Sequence, residues 1–171
     1  ANPYADDASN NEAQNINTKT VKRGDKLVYQ VWLDTTKFDA ANKDNIQSVG
    51  ISDDYDETKL DLDATKIKAY DSVTGADVTS KFVITVNNGE ITATSKDEFI
   101  KDKVIDTTKF EFGRYYKFDI PATVKTTTPD GVDIENTANQ IVHQYDPTKR
   151  DITKPEKPTQ KRVVNLPISL P

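Results

Sequence analysis

The sequence of 171 residues predicts an all-β fold, an immunoglobulin-like β-sandwich with short helical insertions. Three observations lead there. Short runs of alternating apolar and polar residues recur along the chain, each bounded by Gly, Asn, Asp or Pro. Two of them, 82–86 and 90–94, flank Asn87-Asn88-Gly89, a hairpin signal because Asn and Gly tolerate positive φ. Only 35–47 and 96–104 read as helical, too few and too short for a mixed fold, and no internal repeat or coiled-coil period is present.

In chain order, residues 1–14 are polar and lack apolar period, so they read as a leader or extended segment, with one domain over 15–171. Residues 15–21 suit a short strand. Lys22-Arg23-Gly24-Asp25 turns the chain into its best strand, 26–34, where Leu27, Tyr29, Val31 and Leu33 share a face and Val28 and Trp32 take the other. Residues 35–47 read as a short helix or irregular crossover anchored by Phe38. In the strand 48–55, Val49, Ile51, Asp53 and Tyr55 are in phase, which points a carboxylate the way of core residues. Strands follow at 66–70, 82–86 and 90–94. Residues 96–104 then form a short amphipathic helix with Phe99, Ile100 and Val104 on one side. In the strand 114–124, Tyr116, Phe118, Ile120 and Ala122 face inward, and Pro121 argues for an edge or a strand end. Pro129-Asp130-Gly131 turns into a strand over 132–145, with Val132, Ile134, Asn136 and Ala138 in phase. Residues 146–160 are extended, and 161–168 supply a last strand or a linker to a next domain.

Composition narrows the function classes. A net charge of -5 with acids and bases interspersed gives no basic footprint for nucleic acid and no cationic helix for a membrane surface. No apolar run approaches the ~20 residues a membrane span needs. There are no Cys residues, which removes disulfides, thiolate metal sites and Cys nucleophiles together. The absence of a targeting or lipidation motif makes the chain read as a segment of something larger.

Five elements in a fixed order carry a family resemblance over about 15–145: the approach Asn15-Ile16-Asn17-Thr18-Lys19-Thr20-Val21, the Gly24 turn before an aromatic strand, Asp53-Asp54-Tyr55-Asp56, Lys96-Asp97-Glu98-Phe99-Ile100, and Glu135-Asn136-Thr137. The chain resembles the C-terminal immunoglobulin-like domains of the antigen I/II and aggregation-substance surface adhesins of Gram-positive cocci, with the enterococcal aggregation substances as the nearest branch. The resemblance implies an extracellular, cell-wall-anchored, non-enzymatic stalk or adhesion domain, partnered by neighbouring domains of the same adhesin and by host or bacterial surface receptors. Leu166-Pro167 and Leu170-Pro171 are not a wall-sorting signal. Many such domains carry a Lys–Asn isopeptide bond assisted by a buried acid; Asp53 matches that acid and Asn136 that Asn. The family's Lys precedes the approach segment, whereas the first Lys here is Lys19. Either that Lys lies outside this sequence, Lys19 substitutes, or the domain has no bond. The expectation is no bond, with Asp53 as a turn acid and Asn136 as a satisfied buried amide.

Further candidates are weighed against plainer roles. Arg23-Gly24-Asp25 is the integrin-recognition tripeptide, yet Gly24 is also the natural turn residue ahead of a strand. Asp53, Asp54 and Asp56 offer oxygen ligands for a structural Ca²⁺, without the mid-loop Gly and terminal Glu of an EF-hand; the expectation is a solvated acidic loop and no cofactor. Trp32 and Tyr115 are the aromatics out of core phase that a carbohydrate would need. No pair of carboxylates stands out as a hydrolytic couple, and His143 is the sole His, an exposed strand residue with no nucleophile to serve.

Overall fold

The structure is a computed structural model that describes residues 20–38, 46–102, 104–146, 150–156 and 161–165; beyond His143 only the backbone is described. The described residues form twelve strands: β1 (Lys26–Asp34), β2 (Ile46–Tyr55), β3 (Leu60–Leu62), β4 (Lys68–Asp71), β5 (Phe82–Asn87), β6 (Glu90–Ser95), β7 (Ile100–Lys101), β8 (Val104–Ile105), β9 (Tyr115–Val124), β10 (Asn136–Asp146), β11 (Arg150–Glu156) and β12 (Lys161–Asn165). One five-stranded sheet runs β12-β1-β9-β3, with β4 also on β9. The other runs β11-β10-β2-β6-β5, and β7-β8 form a small ribbon. Every pairing between these strands is antiparallel. The two large sheets stack as the expected immunoglobulin-like β-sandwich.

Period two fills the space between the sheets. Leu27, Tyr29, Val31 and Leu33 of β1 and Tyr116, Phe118, Ile120 and Ala122 of β9 meet Val49, Ile51 and Tyr55 of β2 and Ile91 and Ala93 of β6, all buried. At one end Phe82 stands edge-on to Phe110, Tyr116 and Phe118, with ring centroids 5.5, 5.9 and 4.9 Å away, a geometry the aromatic quadrupole favours. Gly50 is required in β2, because a Cβ there would lie 1.9 Å from the Ala93 carbonyl oxygen of β6. The hairpin at 88–89 has positive φ at both residues, 48° and 86°, as a type I′ turn demands.

The structure corrects several expectations. Residues 96–104 do not form a helix. Asp97–Phe99 make one 3₁₀ turn, and Asp102 at φ 52° reverses the chain into the β7-β8 ribbon, since a left-handed residue cannot continue a helix. In the 35–47 crossover, residues 36–37 form a turn and Phe38 packs on Phe112 at 5.6 Å; 39–45 lie outside the described residues, as does most of the expected strand 15–21. Residues 132–135 are not strand, because the partner β2 ends at Tyr55, opposite Asn136. Val132 is accordingly exposed. Pro121 sits in a central strand, paired with Val28 on one side. On the other side β3 reaches 122–124 and β4 reaches 116–119, leaving a gap at Pro121 where no ladder partner calls for an N–H. Residues 150–156, expected only as extended, form the paired edge strand β11 on β10. Val28 and Trp32 are buried, although they lie outside the core phase.

Candidate functional site

Strand alternation sends Asp53 inward from β2. Asp53 faces Ala138 across the ladder, and Asn136 faces Tyr55, so Asp53 and Asn136 are diagonal neighbours on the inner face. The Asn136 Nδ2 donates to Asp53 Oδ2 at 2.8 Å, and both residues are buried. Tyr29 of β1 lies opposite in the other sheet. Burial, followed by the Asp53 and Asp56 carboxylates, pushes its phenol up to about 12, since each disfavours a phenolate. The sequence reading brought Asp53 and Asn136 into core phase, and the structure joins them. Lys19, the third residue of that reading, lies outside the described residues.

A second polar tie was not read from the sequence. Gln140, on the same face of β10, accepts from the Asp34 N–H through Oε1 at 2.9 Å and donates from Nε2 to the Asp34 carbonyl at 3.1 Å. A buried side-chain amide thus closes the end of β1 as a further strand would, linking the two sheets. The only signal was an amide in phase with Asn136 and Ala138.

Arg23-Gly24-Asp25 is bound into its own domain. Gly24 takes φ 84°, and its N–H donates to the Val124 carbonyl at 2.8 Å, while the Val124 N–H donates back to the Asp25 carbonyl. The Asp25 carboxylate accepts from the Lys22 N–H at 2.8 Å. The Arg23 guanidinium donates to the Thr128 carbonyl at 2.6 Å and pairs with Asp130 at 2.8 Å. Arg23 therefore ties the 125–130 loop to the start of β1, and the Asp25 carboxylate closes the turn itself.

The acids weighed as oxygen ligands for a cation do not converge. Asp53 points inward and Asp54 outward, and Asp56 is engaged by Thr58 and Lys59. Among the described residues no group of three acidic, His or Cys side chains is placed to hold a metal. Trp32 is 3% exposed and Tyr115 half-buried, so this pair offers no open platform for a sugar ring. His143 is half-buried rather than exposed, at a register shift between β10 and β2.

A family model for the cell surface antigen I/II C2 terminal domain matches residues 5–153. The chain belongs to this family of cell-surface adhesin domains. The aggregation substance of Enterococcus faecalis is 28% identical over 148 residues, covering 76% of this chain and 11% of that protein. The chain thus spans about a tenth of that relative's length. The N-terminal domain of a Streptococcus gordonii adhesin superposes with a TM-score of 0.55 at 14% identity, over 85% of this chain and 29% of the other. The backbone pilin of Streptococcus pyogenes gives 0.52 at 14% identity, over 88% and 33%. At these identities the likeness is one of fold, and it agrees with the sandwich described above.

Proposed function

We propose that this antigen I/II C2 domain is a stalk module of a cell-wall-anchored adhesin, holding an adhesive region away from the cell and performing no catalysis. The observation that carries the reading is the internal use of Arg23-Gly24-Asp25. Integrin capture needs an Arg and an Asp projecting from a prominent loop, whereas here the Asp25 carboxylate accepts from the Lys22 N–H of its own turn and the Arg23 guanidinium is bonded to the 125–130 loop. The neighbouring domains of the adhesin are its structural partners, and host or bacterial receptors are partners of the whole protein. On this reading Asp53 and Asn136 brace the interior as a hydrogen-bonded pair.

Replacing this domain, within an adhesin that carries it, by an unrelated sandwich of equal length tests the reading. Cell attachment and aggregation are expected to persist, and the single change Asp25→Glu is expected to leave both unaltered. Attachment lost on replacement and also on Asp25→Glu would overturn the stalk reading in favour of receptor capture by the tripeptide.

A further inference from the structure

An exposed strand edge is a template for another chain, and proteins blunt such edges with charge, Pro or short length. Among the described residues, three of the four borders of the two large sheets are blunted in this way. β12 carries Lys161 and Arg162, and β11 carries Arg150, Asp151, Lys154, Pro155 and Glu156. The border shared by β3 and β4 is made of three- and four-residue strands containing Asp61, Lys68 and Asp71. β5 is different. Its six residues, Phe82-Val83-Ile84-Thr85-Val86-Asn87, contain neither a charge nor a Pro. Among the described residues only β6 pairs with it. The 64–66 turn lies near β5 but uses its own donors: the Thr65, Lys66 and Ile67 N–H groups all bond within 63–67.

The hairpin register says which groups face the open edge. Asn87 and Glu90 flank a two-residue turn and form its hydrogen-bonded pair. Alternation then makes Thr85↔Thr92 hydrogen-bonded and Ile84↔Ala93 and Val86↔Ile91 non-hydrogen-bonded. Ile84 and Val86 therefore direct their N–H and C=O groups away from β6, toward the edge. Their side chains are half-buried on the inner face, while Val83, Thr85 and Asn87 are exposed on the outer face.

We propose that β5 is a homotypic docking edge at which two copies of this domain pair antiparallel across a two-fold axis through Thr85. Two requirements narrow the choice of register. Side chains facing each other must lie on the same face of the sheet, so the numbers of paired residues must sum to an even value. The edge-facing groups must also meet one another. Pairing Ile84 with Val86 of the second copy, and Thr85 with its own counterpart, meets both. Each Ile84–Val86 couple exchanges both backbone bonds, the half-buried apolar side chains continue the inner face, and Val83 faces Asn87. On the outer face the uncharged row Thr85, Thr92, Ser52, Asn139, already joined by a 2.5 Å hydroxyl bond between Thr85 and Thr92, continues into the other copy. β5 itself brings no charge to the contact. The result is one ten-stranded sheet across two molecules, a way for copies presented densely on a surface to adhere laterally.

Sedimentation velocity over a concentration series of the 171-residue chain tests this. The chain is expected to form a dimer, with association weakened roughly tenfold or more by Val86→Pro, which removes an edge-facing N–H, and by Thr85→Lys, which sets two ammonium groups face to face. The Lys variant keeps an exposed position exposed and gives up only the solvent-facing Thr85–Thr92 hydroxyl bond, so at a concentration where the parent is monomeric its thermal unfolding should stay close to the parent's and remain cooperative. Because the sequence has no Cys, Thr85→Cys reports the register. Opposed residues in a non-hydrogen-bonded pair have Cα atoms about 4.5 Å apart, within reach of a disulfide, so this variant should cross-link under mild oxidation far faster than Val83→Cys. A chain monomeric at every concentration, a dimer indifferent to Thr85→Lys, or equal cross-linking at 83 and 85 would each overturn the proposal.

Discussion

Asn136 and Asp53 show how one residue's environment is set by strand phase. A carboxylate between two sheets has lost its water, and the 2.8 Å bond from the Asn136 amide offsets part of that cost. If the pair is a hydrogen-bonded brace, the intact mass of the purified chain equals that of its sequence. Asn136→Ala then removes one of the donors to a buried acid and lowers the unfolding free energy by about 1–3 kcal/mol. A parent chain lighter by one ammonia, with the deficit abolished in Asn136→Ala, would instead mean that a Lys amine has displaced the Asn136 amide nitrogen, and the brace would be covalent. The inward placement of both residues was legible because period two is rigid: once Ile51 and Tyr55 are core, Asp53 must be. The Gln140 bonds to Asp34 were not legible, since nothing in local pattern tells a buried amide in one sheet which backbone group of the other it will meet. The same limit applied to Trp32, whose position opposite the core phase said that it needs cover but not whether this domain or a neighbouring one supplies it.

At the level of elements, five turns share a device: Asp followed two residues later by Thr, at 34–36, 56–58, 63–65, 77–79 and 106–108. In each, Asp Oδ1 accepts from both the backbone N–H and the hydroxyl of the Thr. These Asx motifs end β1, follow β2 and β8, and precede the 64–66 and 79–81 turns, giving the chain a local partner where ladder bonds stop. The spacing stood in the sequence and marks boundaries better than hydropathy did; it explains why the interval between β2 and β4 is crossed by short, well-defined pieces. The Thr hydroxyl bond is the leading cause that holds the Asp63, Asp77 and Asp106 carboxyls below their usual range; for Asp56 the Lys59 ammonium leads and Thr58 adds to it. A folded-state pKa below the unfolded one contributes stability that is complete above the unfolded value, about 3.9, and is lost as pH falls through the folded value. A triple variant Asp63→Asn, Asp77→Asn and Asp106→Asn keeps an acceptor at each turn but cannot titrate. Urea unfolding followed from pH 7 down to about pH 2 should show the variant less stable than the parent near neutrality and with a shallower acid decline, the two converging as the parent's carboxyls protonate. Parallel declines would mean that these turns do not set the acid limit.

For the whole molecule, the decisive relation is between its first and last described strands. β1 and β12 are antiparallel neighbours, with Leu27 opposite Asn165 and Val31 opposite Lys161, and among the described residues β12 has no other partner. Tension applied at residues 26 and 165 therefore acts at one end of this ladder. Such a load opens the hydrogen bonds one after another, so no more than one or two resist at any moment. Tension applied at residues 26 and 161 enters at opposite ends and loads all of them together. A stalk module should be sensitive to this difference, because the way force reaches β12 decides whether the sandwich gives way at its border or shares the load across β1 and β9. Single-molecule pulling on two double-Cys variants, Lys26→Cys with Asn165→Cys and Lys26→Cys with Lys161→Cys, makes the comparison in a chain that otherwise lacks thiols. The 26/165 pair is expected to show a first opening at distinctly lower force, releasing only β12, and the 26/161 pair a single higher-force event. Equal forces in the two geometries would show that the β1–β12 ladder does not carry the load and that resistance resides in the β1–β9 and β2–β10 pairings.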